Sequence, residues 1–262
     1  MTKLPRLFFA TLTLAALLAA ALADSYAAGT APDPLPALEP PLRDRFLRPD
    51  HAARRRGLEV FQQACAACHG LRHLPYRELG RLGLTAEQIR AIAAERSLPT
   101  LDADGQPAER PATAADPWLP PWPNEAAGRA QHNGALPPDL SLITKARPGG
   151  ASYVAALLQG YVDPPPGEEI GEGQWYNRFI EGRRIAMAPP LSPEPGQFVH
   201  ADGTESTPAS AARDVAAFLN WVAEPAADER LRTGFFVLGY LAAAFAVARA
   251  LQIRIRRRVQ GY

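Results

Sequence analysis

Cys65-Ala66-Ala67-Cys68-His69 is the stretch whose residue types and spacing most sharply specify a chemistry. Two thiols separated by two residues can each add across a vinyl group of one haem, and the histidine that follows then lies under the iron as proximal ligand. A redox-active dithiol shares the cysteine spacing but belongs beside a βαβ pattern, which this region lacks. Half of a zinc site would need two further cysteines or suitably spaced histidines, and the chain has only these two cysteines. The spacing therefore points to one covalently attached haem c, which leaves no cysteine for a structural disulfide.

An iron that transfers electrons instead of binding small molecules needs a second axial ligand. The methionines are Met1 and Met187. Met1 is expected to leave with an N-terminal leader, so Met187 is the thioether candidate. It sits in Arg184-Ile185-Ala186-Met187-Ala188-Pro189-Pro190-Leu191, an apolar, proline-stiffened setting for a sulfur. Filling a core is the ordinary role of a single methionine. The rival ligands are His51, His73, His132 and His200. His73 follows His69 by only four residues, too near on the same side; the others lie in polar or loop contexts and are expected at the surface. His/Met ligation raises the reduction potential relative to bis-histidine, which suits a mild oxidant late in an electron chain.

The elements that must position these residues are mostly helical. A helix over 52–66, with Leu58, Phe61 and Cys65 three and four apart on one face, delivers the motif. Thr85 and Gln88 form a capping-box pattern opening a short helix through Ile89 and Ile92 to about Glu95. Residues 97–123 have no period and read as loop. Tyr153, Val154, Leu157 and Leu158 mark a helix that stops at Gly160. Thr207-Pro208 is an N-cap and first-turn pair, after which Val215, Phe218, Leu219 and Val222 repeat at helical spacing until Pro225. Neither a run of alternating strands nor an internal repeat is visible. The 27 prolines, dense at 32–41, 117–123 and 163–166, impose long extended connections that need something to pack around. The expected fold class is mainly α: an elaborated cytochrome c fold with long Pro-rich loops plus one C-terminal transmembrane helix.

The two ends carry addresses. Basic residues at Lys3 and Arg6, an apolar run over 7–23 and small residues after it describe a secretory signal peptide over 1–28, cleaved after about 23 to 28. An uncleaved N-terminal anchor is the alternative. Residues 231–251 lack any charge between Thr233 and Ala248, and as a helix rising about 1.5 Å per residue they cover a bilayer core. Arg254, Arg256, Arg257 and Arg258 follow, and a basic cluster beside a span stays cytoplasmic. The expected organisation is thus an exported haem-binding domain over 29–228, a transmembrane helix over 229–253 and a basic cytoplasmic tail over 254–262. In a bacterium this is a single-pass protein of the inner membrane with its haem domain on the periplasmic side. With 47% hydrophobic residues and a net charge of +1, the chain is neither disordered nor suited to nucleic acid.

Beyond the haem motif, several stretches bear a specific resemblance: Trp122-Pro123-Asn124-Glu125 with Arg129, Asn133-Gly134-Ala135-Leu136-Pro137-Pro138-Asp139-Leu140-Ser141-Leu142-Ile143, Lys145-Ala146-Arg147, Gly160-Tyr161, Ile185-Ala186-Met187, and residues 214–230 including Phe218-Leu219-Asn220-Trp221. With the C-terminal span they cover roughly residues 45–255, and the chain resembles the cytochrome c1 family, the haem-bearing subunits of quinol:cytochrome c oxidoreductase. The resemblance implies that Cys65 and Cys68 hold the haem, that His69 and Met187 ligate its iron, and that Arg129 lies near a haem propionate. A surface salt bridge is the alternative role for Arg129. It also implies an electron-transfer subunit that is no enzyme by itself, assembled with cytochrome b and a Rieske iron–sulfur protein. Electrons would arrive from the Rieske protein and leave to a soluble or tethered cytochrome c. Asp163, Glu168, Glu169 and Glu172 make a candidate docking patch by charge steering, or simply a solvated acidic loop. Two departures stand out: Gly70-Leu71 where the family commonly has a Ser-Met or similar pair, and His132 where small residues or Gln are usual. A free-standing membrane-anchored cytochrome c serving a terminal oxidase, and an open-iron enzyme such as a peroxidase, are the competing functions.

Overall fold

The first helix of the haem domain begins where Asp50 accepts the Ala53 N–H at 2.9 Å, so a side-chain cap satisfies one orphan donor of the first turn. The computed structural model describes residues 32–36, 50–191, 198–201 and 203–261. The leader expected over 1–28 lies outside the described residues. Helix α1 (His51–Val60) buries Ala53, Gly57, Leu58 and Val60 on one face. It runs into a π-helical turn, Phe61–Cys65, closed by Ala66 N–H donating to Phe61 O at 2.8 Å. A single wide turn of this kind rotates the residues after it relative to the face before it, and here it ends on Cys65.

Downstream come β1 (Leu71–Pro75), a 3-10 turn (Tyr76–Leu82) and α2 (Ala86–Ala94). Thr85 and Gln88 cap α2 reciprocally, as the sequence predicts: Thr85 Oγ1 accepts the Gln88 N–H and Gln88 Oε1 accepts the Thr85 N–H. The remaining elements are β2 (Ser97–Leu101), β3 (Pro107–Pro111), β4 (Pro117–Trp118), α3 (Glu125–Gln131), α4 (Ile143–Ala146), α5 (Ala151–Gln159), β5 (Trp175–Tyr176), β6 (Arg184–Ile185), α6 (Pro208–Val222) and α7 (Ala227–Gln260). Helices α5 and α6 match the sequence expectation, with Gly160 at the end of one and Thr207-Pro208 at the start of the other.

The loop expected over 97–123 is a correction. Strands β2 and β3 pair antiparallel from Ser97 opposite Pro111 to Leu101 opposite Pro107, and β4 pairs with β1. One face of this ribbon is partly covered, but only Leu98 on it is a large apolar residue, beside Thr100, Ala108 and Arg110, so the hydrophobic alternation that marks a strand in sequence is absent. Prolines 99, 107 and 111 are tolerated because each strand of a two-stranded ribbon has an open edge where a missing N–H costs nothing. A third two-stranded pair, β5 with β6, holds Trp175 opposite Ile185. Helix remains the dominant element, as expected.

The core forms where α1 crosses α6. A Cβ built on Gly57 would lie 2.0 Å from Asp214 O and 2.7 Å from Phe218 Cβ, so only glycine admits so close a crossing. Arg56 flanks it, donating from Nε to Asp214 Oδ2 at 2.7 Å; burial pushes the Asp214 carboxyl up against the opposing pull of that guanidinium. Helix α6 is buried on nearly every side, including Ala211, Ala212, Val215, Ala216, Phe218, Leu219 and Trp221, because α1 covers one face and α5 another. Around Phe61 an aromatic cluster closes: Trp118 edge-on at 5.2 Å, Phe218 at 5.7 Å, and Tyr76 stacked on Trp118 at 4.9 Å.

Helix α7 contrasts with all of this. None of its 34 residues is buried, and Phe235, Phe236, Leu238, Tyr240, Leu241 and Phe245 are exposed on every side, the pattern of a helix whose surroundings are lipid. It extends past both ends of the 229–253 span expected from sequence, and its first turn is tied to the haem domain. Asp228 pairs with Arg54 at 2.6 Å, Glu229 with Arg81 at 2.5 Å, and Glu224, just before the helix, receives both Arg230 and, at 3.1 Å, Lys145.

Two outcomes are expected. Gly57→Ala forces α1 and α6 apart and lowers stability by about 3 kcal/mol, the upper end of overpacking costs; a thermal melt of the detergent-solubilised chain that matched wild type would refute the tight crossing. Asp116 accepts both Arg110 amino groups, at 2.7 and 2.8 Å, and the Thr113 N–H and hydroxyl, so its carboxyl is held well below its ordinary value of 3.8. The folded state then binds fewer protons than the unfolded one. The stabilisation is full above 3.8 and is lost as pH falls below it. Asp116→Asn should lower the melting temperature at pH 7, and the gap to wild type should shrink steadily below pH ~4.

Candidate haem-binding site

Cys65 ends the π turn, and the next three residues complete one more turn, with Cys68 N–H and His69 N–H both donating to Cys65 O at 3.0 and 2.9 Å. That turn places both sulfurs and the imidazole on consecutive corners of one short, rigid segment. Both cysteines are half-buried, and neither is in a disulfide. Ala66 O, in the middle of the turn, accepts from Arg96 Nη2, a contact thirty positions distant that sequence reasoning missed. Burial pushes the Cys65 thiol up to about 12, opposite to the depressed pKa of an activated redox cysteine. Among the described residues no three His, Cys, Asp or Glu side chains converge as a metal-binding group, so nothing completes a zinc site around the two thiols.

His69 is only 8% exposed, and its Nδ1 lies 2.7 Å from Pro138 O. A carbonyl only accepts, so the ring proton sits on Nδ1 and the Nε2 lone pair is left for a metal. Burial pushes the imidazole pKa down, against the pull of that hydrogen bond, which keeps the ring neutral as a ligand must be.

Pro138 is brought there by the 133–141 segment. Helix α3 starts at Asn124, whose Oδ1 accepts the Ala127 N–H at 2.9 Å, and the chain leaves it through Asn133 and Gly134, both in the left-handed region at φ 52° and 85°. The segment then docks along β1. Asp139 Oδ2 accepts the Arg72 N–H at 2.8 Å, Ser141 Oγ accepts the His73 N–H at 3.1 Å, and Leu140 N–H donates to Gly70 O at 3.0 Å. Gly70 has its own steric reason: a Cβ there would meet Pro120 Cδ and N at 2.7 Å.

Met187 lies just beyond β6, half-buried. Tyr161 Oη donates to Met187 O at 3.1 Å, and Asn177, fully buried, ties the region to α5 by donating to Leu157 O and accepting the Phe179 N–H. The β5–β6 turn passes through Gly182 and Arg183 at φ 73° and 56°, and Arg183 reaches Tyr176 Oη at 3.0 Å and Asp33 Oδ1 at 3.0 Å. Burial pushes the Tyr161 phenol up, so it remains a neutral donor across the working pH range. Arg129 is exposed, and its Nη1 donates to Gly134 O at 3.2 Å while its carbonyl receives the Gly134 N–H. Those bonds brace the turn after α3.

The four alternative histidines divide. His51 is exposed as expected, and His73 is exposed too. His200 is not: it is 4% exposed with Nδ1 2.8 Å from Glu59 Oε2, because its loop packs on α1. His132 also departs from the surface expectation. It is half-buried, and its Nε2 lies 3.4 Å from Cys68 Sγ. In the acidic loop, Glu168 approaches Arg184 at 3.8 Å.

The donor set, two thiols on one turn, an imidazole locked with its Nε2 free and a methionine in the proline-stiffened segment after β6, fits haem c. Comparison with known proteins agrees. A model of the family described as the cytochrome c1 family matches residues 42–259. Among relatives, the cytochrome c1 of Rhodospirillum rubrum is 38% identical over 232 residues, covering 82% of this chain and 85% of that protein. The mitochondrial haem protein cytochrome c1-2 of Solanum tuberosum is 46% identical over 187 residues, 71% of each chain, and the mitochondrial cytochrome c1 of Saccharomyces cerevisiae is 46% identical over 187 residues, 71% of this chain and 60% of that one.

Tyr161→Phe removes one donor to the Met187 carbonyl and little else. Haem content should be unchanged while the near-red absorption of sulfur-ligated ferric iron disappears at a lower temperature than in wild type; equal midpoints would mean the bond does not hold the 187 loop.

Proposed function

The chain belongs to the cytochrome c1 family, and from that premise we propose that it takes single electrons from a Rieske iron–sulfur protein and passes them to a soluble or tethered cytochrome c. It is a haem-bearing, single-pass membrane subunit of a respiratory electron-transport complex. Its partners in that complex are cytochrome b and the Rieske protein, and the haem domain of residues 29–228 faces the periplasm. The arginines at 254, 256, 257 and 258, on the far side of the span, favour that orientation.

Cys65 and Cys68 would hold the cofactor through thioethers, His69 Nε2 and Met187 Sδ would ligate its iron, and Arg129 would pair with a propionate. The observation that carries this reading is the His69–Pro138 hydrogen bond, which aims an unprotonated Nε2 from the same turn that bears both thiols. The haem supplies one-electron chemistry at its iron; the protein makes and breaks no bond during turnover. The chain's own residues fix geometry and exclude water. Pro138 holds the tautomer, burial keeps His69 neutral, and Tyr161 steadies the segment that carries Met187. A thioether opposite an imidazole sets a higher potential than two imidazoles. The ion pairs of Asp228 with Arg54 and of Glu229 with Arg81 tie the first turn of α7 to the haem domain.

Met187→Ala should retain covalent haem on denaturing gels, lose the near-red sulfur-to-iron band and lower the reduction potential. A band that persisted in the variant would reassign the sixth ligand. Purification through this chain in mild detergent should bring down a b-type cytochrome and a Rieske protein; recovery with a terminal oxidase alone would favour a free-standing membrane cytochrome.

A further inference from the structure

The two thiols of the haem motif sit in different surroundings, and the difference is made by His132. Helix α3 ends at this residue, and its ring folds back so that Nδ1 lies 2.7 Å from Gly128 O. The carbonyl can only accept, so Nδ1 carries the proton and Nε2 presents a lone pair. That nitrogen faces Cys68 Sγ at 3.4 Å, within reach of an S–H donor. Trp122 steadies the ring edge-on at 5.3 Å and is itself buried against Gly128, where a Cβ would come within 3.0 Å of the indole. The chain Gly128 O, His132, Cys68 Sγ is therefore built from a backbone carbonyl outward, with an aromatic wall behind it. Cys65 Sγ meets no such acceptor among the described residues.

We propose that His132 is the positioning residue for the second thioether: by accepting the Cys68 S–H it fixes that sulfur in the rotamer from which it adds to the haem vinyl. The reaction balances without any oxidant or reductant. The sulfur bonds to the vinyl carbon next to the macrocycle, the vinyl π bond breaks, and the thiol hydrogen ends on the terminal carbon, which becomes a methyl group. His132 acts through Cys68 and touches neither the iron nor its ligands in this role. The inference rests on the reading that Cys68 is a haem anchor, and it makes attachment at Cys68, but not at Cys65, dependent on the residue at 132.

The test uses the full-length chain matured in its own membrane, in three backgrounds: wild type, Cys65→Ser and Cys68→Ser. His132→Phe keeps a ring against Trp122 and removes the acceptor; His132→Gln restores an acceptor. In the wild-type background His132→Phe should leave severalfold more Cys68 open to iodoacetamide. The reduced pyridine haemochrome band should move to longer wavelength, since one vinyl stays conjugated, and His132→Gln should reverse both changes. In Cys65→Ser, where Cys68 is the anchor, His132→Phe should lower haem per chain severalfold; in Cys68→Ser it should change nothing. Equal losses in the two single-cysteine backgrounds would reduce His132 to a packing role, and two intact thioethers in His132→Phe would overturn the proposal outright. An unmutated chain with alkylatable Cys68 and no covalent haem would instead overturn the reading of the site itself.

Discussion

The crossing of α1 over α6 at Gly57 is the contact on which the haem domain depends. With no Cβ between them, the backbones of Gly57 and Asp214 meet directly, and Phe218 packs its Cβ into the same gap. The close approach fixes the axis of α1, and with it the direction in which the π turn releases Cys65. An error of one residue in that turn would carry the thiols around the helix. The Arg56–Asp214 pair sits at the edge of the crossing, where a carboxylate burdened by burial is matched by a guanidinium that remains partly in water. Removing the guanidinium would leave the Asp214 carboxylate buried without its ion-pair partner, which costs more than the pair itself contributes.

The aromatic cluster transmits this alignment to the rest of the site. Phe61 touches Phe218 on one side and Trp118 on the other, so the helix pair and the β1–β4 ribbon share one core. Strand β1 follows directly from the haem motif, and its outer edge receives Asp139 and Ser141, which set Pro138 beneath His69. A short ribbon that would be marginal alone is stable here because Phe61 and Tyr76 pack on its Trp118 and the 138–141 segment hydrogen-bonds its edge. His69 is thus oriented by a carbonyl held against the strand immediately after it.

Much of this was legible in the residues themselves. The Cys65–Cys68–His69 spacing, the Thr85/Gln88 box and the Thr207-Pro208 start act within one or two helical turns, where near-neighbour contacts are written directly into spacing, and the uncharged run before Arg249 shows in composition alone. The β2–β3 ribbon was not, because its partly covered face carries Thr100, Ala108 and Arg110 beside Leu98, which show no hydrophobic alternation, and its prolines imitate a loop. The burial of His200 was equally hidden: nothing near it in sequence signals that Glu59 waits on α1.

By itself, the sequence determined that a haem is held covalently by adjacent thiols, that the neighbouring histidine is its ligand candidate, which segments are helices, and that one of them is apolar enough to cross a membrane. These follow from covalent chemistry and local periodicity, which need no knowledge of the fold. Only the tertiary structure decided that His69 is locked by Pro138, that Ala66 is held by Arg96, that Met187 hangs from Tyr161, and that His132 rather than solvent faces Cys68. Each of those pairs joins residues far apart in the chain. Their meeting depends on where a glycine crossing and a few left-handed turns send the backbone, and no local spacing records that.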